Sequence, residues 1–211
     1  MKRSFRAILP GVLLVIIPAI LRSEEMANPA ANPMEIRIRA YNMAKIPSAM
    51  VEGIGQEAKR ILGEAGIQVV WLDCSREDQA LQCGAPRTAT DFVFRLVVPA
   101  PPDRHQRKPQ ALGQAWASRE GGALANVVCP PVESLPYAAQ SIYPRVLGHT
   151  AVHEIGHLLL GSDAHHYNGI MRARWDDFDW QRMIAGTLLF TKDQAGLLRQ
   201  SISVRYQLAE K

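Results

Sequence analysis

The pentapeptide His153-Glu154-Ile155-Gly156-His157 constrains this chain more than any other feature. Histidines four positions apart project from one face of an α-helix, one turn from each other, so both imidazoles can reach a single metal ion. Two neutral nitrogen ligands at that spacing suit zinc. Glu154 follows the first histidine and points slightly aside. From there a carboxylate can take a proton from water held by the metal and hand it to a leaving amine, without itself being a ligand. The pattern H-E-x-x-H thus carries a mechanism with it.

The flanks separate this reading from two chance histidines on a wet helix. Pro144 to Leu160 reads as one helix, and Val152, Ile155, Leu158, Leu159 and Leu160 make it strongly apolar around the polar trio. A solvated surface helix does not carry such a sequence. Gly156 costs a helix roughly 1 kcal/mol relative to alanine, and a residue without a side chain there permits close packing under the site. Gly161 ends the helix and can take a positive φ, which turns the chain sharply back.

A catalytic zinc site needs a third protein ligand and keeps one position open. The only glutamate after Leu158 is Glu210, which argues against a ligand from a glutamate on a following helix. The candidates just beyond Gly161 are His165 first, His166 second and Asp163 third. His149 lies one turn before His153, where it would line the cleft or remain partly exposed. Tyr167 could donate a hydrogen bond to a transition-state oxyanion or simply pack in its loop. Trp175 is near in sequence, and His105 falls in a charged loop where solvation is the simpler reading.

Elsewhere the order is strand, helix, several strands, then helices, an α+β layout. Glu35 to Tyr41 alternates polar and apolar residues and reads as a strand with one wet face. A helix follows from Pro47-Ser48 to about Ala65, with Met50, Ile54, Ala58, Ile61 and Leu62 at helical spacing. Further strands are expected at Ile67 to Leu72, Asp91 to Val98, Ala111 to Ala117 and Ala125 to Val128. Cys74 to Thr90 reads as a polar loop and Gly121-Gly122 as a turn. Two helices close the chain, near Asp176 to Gly186 and Lys192 to Val204, the second with Thr191 as N-cap.

The extended pattern resembles that of the metzincin zinc metallopeptidases, H-E-x-x-H-x-x-G-x-x-H followed by a turn that carries a methionine beneath the zinc. Here the corresponding residues are His153, Glu154, His157, Gly161, His165 and Met171, with Gly169-Ile170-Met171 as the methionine turn. The chain departs from the pattern in two places. Gly161 falls one residue late, and His165 lies eight residues after His157 where the family has six; Asp163 holds the family position, and some members use Asp there. An extra helical residue or a local bulge before the turn would accommodate His165. The resemblance implies a zincin-like fold, with a mixed twisted sheet, a long backing helix, the metal helix and a small helical C-terminal part. It also implies an edge strand near Leu112 to Ala117 that pairs with extended substrate, and hence a peptide or protein substrate. Endopeptidase activity through Glu154 is the expected function. The alternatives are an exported binding domain that keeps the scaffold and a zinc amidase acting on non-peptide substrates.

Composition bounds the remaining readings. The 211 residues are 47% hydrophobic and 21% charged, a globular balance, and the net charge of +4 comes without a long basic run, so nucleic-acid binding is not indicated. Lys2, Arg3 and Arg6 precede an apolar run from Ala7 to Leu21, which reads as an export signal over residues 1–23. An uncleaved anchor is the second reading and would be the chain's one membrane contact. Residues 24–34 form a linker and 35–211 one catalytic domain, divided into 35–161 and 162–211. The protein is expected outside the cytoplasm, periplasmic or extracellular. There two of Cys74, Cys83 and Cys129 can pair; Cys74 with Cys83 is the simplest choice and Cys83 with Cys129 the other.

Overall fold

The computed structural model of the chain describes residues 34–101, 111–131, 133 and 140–209. The proposed signal or anchor, the linker up to residue 33, and His105 with most of its loop lie outside the described residues. Those described belong to one compact unit spanning Asn32–Lys211. No helix among them is long and apolar enough to cross a membrane.

The alternation at Glu35 builds β1 (Glu35–Asn42), whose Ile36, Ile38 and Ala40 are fully buried. α1 (Ser48–Glu64) follows and buries Val51, Ile54, Ala58, Ile61 and Leu62. Gly66 takes a φ of 76° and returns the chain into β2 (Gln68–Asp73), parallel to β1. β3 (Asp91–Val97) pairs in parallel with the other side of β1, and β5 (Gly121–Val128) in parallel with β3. β4 (Gly113–Ser118) closes the sheet antiparallel to β5, in the order β2-β1-β3-β5-β4. Among the described residues β4 is therefore an edge strand. Apolar residues of β1, β3 and β5 form one core with α1 and α3 (Tyr143–Leu160), the helix that carries the histidine pair. α4 (Asp177–Ile184) and α5 (Lys192–Ala209) complete the chain. This is the α+β architecture expected from the order of elements.

Three local expectations are corrected. Cys74 to Thr90 is not all loop: a 3-10 turn at Glu77–Gln79 leads into the short helix α2 (Ala80–Gly84). A disulfide joins Cys74 to Cys83 there, and Cys129 stays free and buried. The Arg39 guanidinium holds the same segment from below. It donates to the carbonyls of Cys83, Ala85 and Pro86 and pairs with buried Asp91 at 2.7 Å. These bonds give an otherwise polar stretch a fixed path. Second, the β4–β5 turn is Arg119-Glu120; Gly121 and Gly122 begin β5 instead, beside a bulge between Trp116 and Ala117. Third, the last helix runs past Val204 to Ala209. At its start Thr191 Oγ1 accepts from the Gln194 amide at 3.2 Å, while the Gln194 side chain accepts from the Thr191 amide at 3.0 Å, a reciprocal cap.

Candidate metal centre

Helix α3 continues to Leu160, one residue beyond the family spacing, before Gly161 reverses the chain at φ 97°. A Cβ at Gly161 would lie 2.9 Å from the Arg119 carbonyl carbon, so the reversal also needs a residue without a side chain. The extra helical residue, with one more in the loop, brings His165 back over the helix. The Nε2 of His157 is 3.2 Å from that of His153 and 3.1 Å from that of His165. One ligand atom from each of the three lies within 4.8 Å of the others, and among the described residues no further His, Cys, Asp or Glu joins the group. His166 turns away, its Nδ1 2.8 Å from Asn168 Oδ1. Asp163 is largely exposed and lies 3.5 Å from the Arg119 guanidinium.

The outward nitrogens explain why these rings fit a cation. His153 Nδ1 is 2.8 Å from the Ile170 carbonyl, and His157 Nδ1 is 3.3 Å from that of Gly161. A carbonyl only accepts, so each Nδ1 carries the proton and each neutral ring turns a bare Nε2 lone pair to the centre. Facing lone pairs repel unless a cation lies between them. Zn–N distances of about 2.0–2.1 Å in tetrahedral geometry place two ligand nitrogens about 3.3–3.4 Å apart, close to the spacing found. Burial keeps the rings in the required neutral form: it is the chief cause that lowers His153 to about 4, and it lowers His157 too. The carbonyls behind the rings also fix tautomer and orientation, as outer partners of metal-ligating histidines do.

Glu154 lies on the same helix but outside this triangle, 6% exposed. Loss of water around the carboxylate raises it from 4.5 to about 7, and the Ala115 amide of β4 partly offsets that rise. Its space comes from Gly113. A Cβ on Gly113 would lie 2.7 Å from Glu154 Cγ and overlap the carboxylate. Gly113 is the functional position that sequence reasoning passed over; a glycine opening a strand is the available signal of a close approach.

The methionine turn lies on the other side of α3. Met171 is fully buried, and a Cβ at Gly156 would come within 2.8 Å of its Cε. Gly156 thus leaves room for Met171, which gives the helix-interior glycine its purpose. The Ile170 carbonyl accepts from His153 and also from Trp175 Nε1 at 3.1 Å, so the turn orients one imidazole directly. Tyr167 is 79% exposed, stacks on His166 and is not part of the cleft lining. His149 is neither cleft-lining nor partly exposed: it is fully buried and faces Glu57 of α1.

The three histidines and Glu154 open into a cleft of about 730 Å³. β4 lines it with Gly113, Gln114, Ala115 and Ala117, and the segment after Met171 lines it with Arg172, Ala173, Arg174 and Trp175, joined by Trp180.

No protein-family model and no curated protein matches the chain. Among solved structures it is similar to archaemetzincin from Methanopyrus kandleri, with 16% identity over 82% of this chain and 99% of that one, and a TM-score of 0.51. The chain has an archaemetzincin-like zincin fold.

Proposed function

We propose that this protein is a zinc-dependent endopeptidase in which His153, His157 and His165 hold the metal and Glu154 is the general base. The observation that carries this reading is the convergence of three Nε2 atoms beside a buried carboxylate that has no ion-pair partner among the described residues, in an open cleft. The absence of a fourth protein ligand among the described residues supports an open position, as catalysis needs, over a closed structural site. A bound zinc supplies Lewis acidity: it polarises the scissile carbonyl and makes water a better nucleophile at neutral pH.

The chain's own residues supply the rest. Glu154 takes the proton from the attacking water and delivers it to the leaving nitrogen. Its raised proton affinity, about 7 before any metal charge acts on it, suits a group that must both accept and return a proton. β4 offers to an extended substrate an edge that no other described strand pairs with, and the substrate main chain would add there as a further strand. The fold of the archaemetzincin neighbour agrees with this chemistry. Export is part of the proposal, and the Cys74–Cys83 disulfide favours an oxidising compartment.

The test is metal content measured together with turnover. Protein expressed in metal-replete medium is expected to carry about one zinc per chain, as a three-ligand site implies. Glu154→Ala should keep the zinc and lose peptide hydrolysis, whereas His157→Ala should lose both. Purified protein that binds no zinc would end this reading.

A further inference from the structure

The charges around the cleft are unevenly matched. Among the described residues, its lining contains the three imidazoles, Glu154, Arg172 and Arg174. Arg172 is committed: its Nη1 donates to Asp176 Oδ2 at 2.7 Å and to Asp179 Oδ2 at 2.8 Å. Arg174 is exposed, and its guanidinium has no hydrogen-bond or ion-pair partner among the described residues. Glu154, the cleft's one acid, lies against Gly113 and Ala115 of β4.

The backbone that carries Arg174 is nevertheless held on both sides. The Ile170 amide donates to the Leu189 carbonyl at 3.0 Å, and the Met171 carbonyl accepts from the His166 amide at 2.9 Å. Arg172 is tied to the start of α4, and the Trp175 indole is tied to the Ile170 carbonyl, with its ring edge-on to His153 and Trp180. A fixed main chain thus presents an uncommitted planar cation within the cleft that holds the metal centre. Guanidinium forks bind carboxylates by paired, charge-assisted hydrogen bonds. A cationic substrate group in the same place would meet like charge.

We propose that Arg174 makes this cleft selective for substrates that present a carboxylate, either an Asp or Glu side chain or the substrate's own C-terminus. The inference rests on the peptidase reading and names its substrate class. Main-chain pairing along β4 sets the peptide's direction without reading its sequence, and Arg174 reads one charge on it.

The experiment uses zinc-loaded protein and a set of quenched-fluorescence peptides. Each peptide carries Glu, Gln or Lys at one position on either side of the scissile bond, and each is made as the C-terminal acid and as the amide. The Glu peptide should exceed its Gln twin by about tenfold in kcat/KM, mostly through KM, as one charge-assisted pair implies. Preference for Glu at an internal position identifies the side chain as the source; preference for acid over amide identifies the C-terminus. Arg174→Ala should erase the difference, Arg174→Lys keep part of it, and Arg174→Glu turn it towards Lys. The same peptides are titrated into zinc-loaded Glu154→Gln protein, with and without the Arg174 changes, to read affinity without turnover. Equal treatment of Glu, Gln and Lys in both assays overturns the proposal, as does a charge preference that survives Arg174→Ala. If no peptide is cleaved but Arg174-dependent preference for carboxylates persists in binding, the peptidase reading falls and the carboxylate site stands.

Discussion

Two clusters of ionisable groups meet on helix α3 one turn apart, each with buried members, and they are built in opposite ways. Towards its N-terminus, His149 is fully buried with its Nδ1 2.9 Å from the Arg145 carbonyl and 3.4 Å from Glu57 Oε1. Glu57 receives two bonds from Arg60, at 2.8 and 3.0 Å, and lies 3.9 Å from Arg145. Burial, the largest single influence, would raise the Glu57 carboxyl, but Arg60, His149 and Arg145 together hold the group below its usual value. Gly148 leaves the room: a Cβ there would lie 2.6 Å from Glu57 Cβ. In the second cluster, His153, His157 and exposed His165 bring their Nε2 atoms together, and Glu154 has no cation beside it among the described residues. Burial of ionisable groups is common to both. What distinguishes the cleft is burial without a counter-charge, a state that stabilises nothing until a ligand arrives.

The sharpest way to break this contrast is at the third imidazole. His165→Ala should lower zinc affinity by more than the roughly 10–100-fold that loss of an outer-shell partner costs. His166→Ala and Asp163→Asn should leave it unchanged in a competitive chelator titration. If Asp163→Asn proves the damaging change, the ligand set proposed here is wrong. Next comes the glycine opposite the base. Gly113→Ala puts a Cβ where the Glu154 carboxylate lies, so kcat should fall about 10- to 100-fold while zinc stoichiometry holds, a penalty typical of misplaced reacting groups. An unchanged kcat would show that Glu154 does not work from this position.

The matched cluster should respond in stability instead. Glu57→Ala leaves His149 with the Arg145 carbonyl but no carboxylate, and removes the carboxylate partner of Arg60, which keeps the Gly186 carbonyl and can still reach water. A loss of about 1–3 kcal/mol is expected in urea denaturation, with zinc content intact. Loss of zinc without loss of stability would erase the distinction between the two clusters. The smallest effect is a pH slope. Glu154 lies at about 7 in the folded chain against 4.5 for the free group. The folded state therefore binds this proton more tightly, and zinc-free protein loses stability from this group as pH rises from about 4.5 to about 7. Glu154→Gln removes that loss, so the metal-free variant should gain on wild type across the window and level off about 1–3 kcal/mol ahead. Parallel stability curves for the two proteins would show that the carboxylate is better solvated than its burial implies.

Local periodicity made much of this molecule legible. The apolar spacing of α1, the alternation in β1 and the strong run around His153 each report a repeat of a few residues, and each became the expected element. In the stretch from Cys74 to Thr90 the Cys74–Cys83 pair was legible, but the short helix was not, because its path also depends on Arg39, a residue 44 to 47 positions from the carbonyls it binds. His149 was misread for the same reason. Its partner Glu57 belongs to a different helix, and only helix packing shows which side of α3 is wet.

For the site, the sequence alone determined that two imidazoles and a carboxylate share one helix, because 3.6 residues per turn permits nothing else at that spacing. It also marked Gly156 and Gly161 as places where a side chain is unwelcome. Only the tertiary structure decided which of three nearby residues completes the triangle, since loop closure after Gly161 brings His165 to His157 and sends Asp163 to Arg119. Only it set Gly113 against Glu154 from 41 residues away and left Arg174 uncommitted in the cleft. Helical spacing is written in neighbouring residues; the contacts that tune a buried carboxylate or leave a cation free come from segments that meet only once the chain has folded.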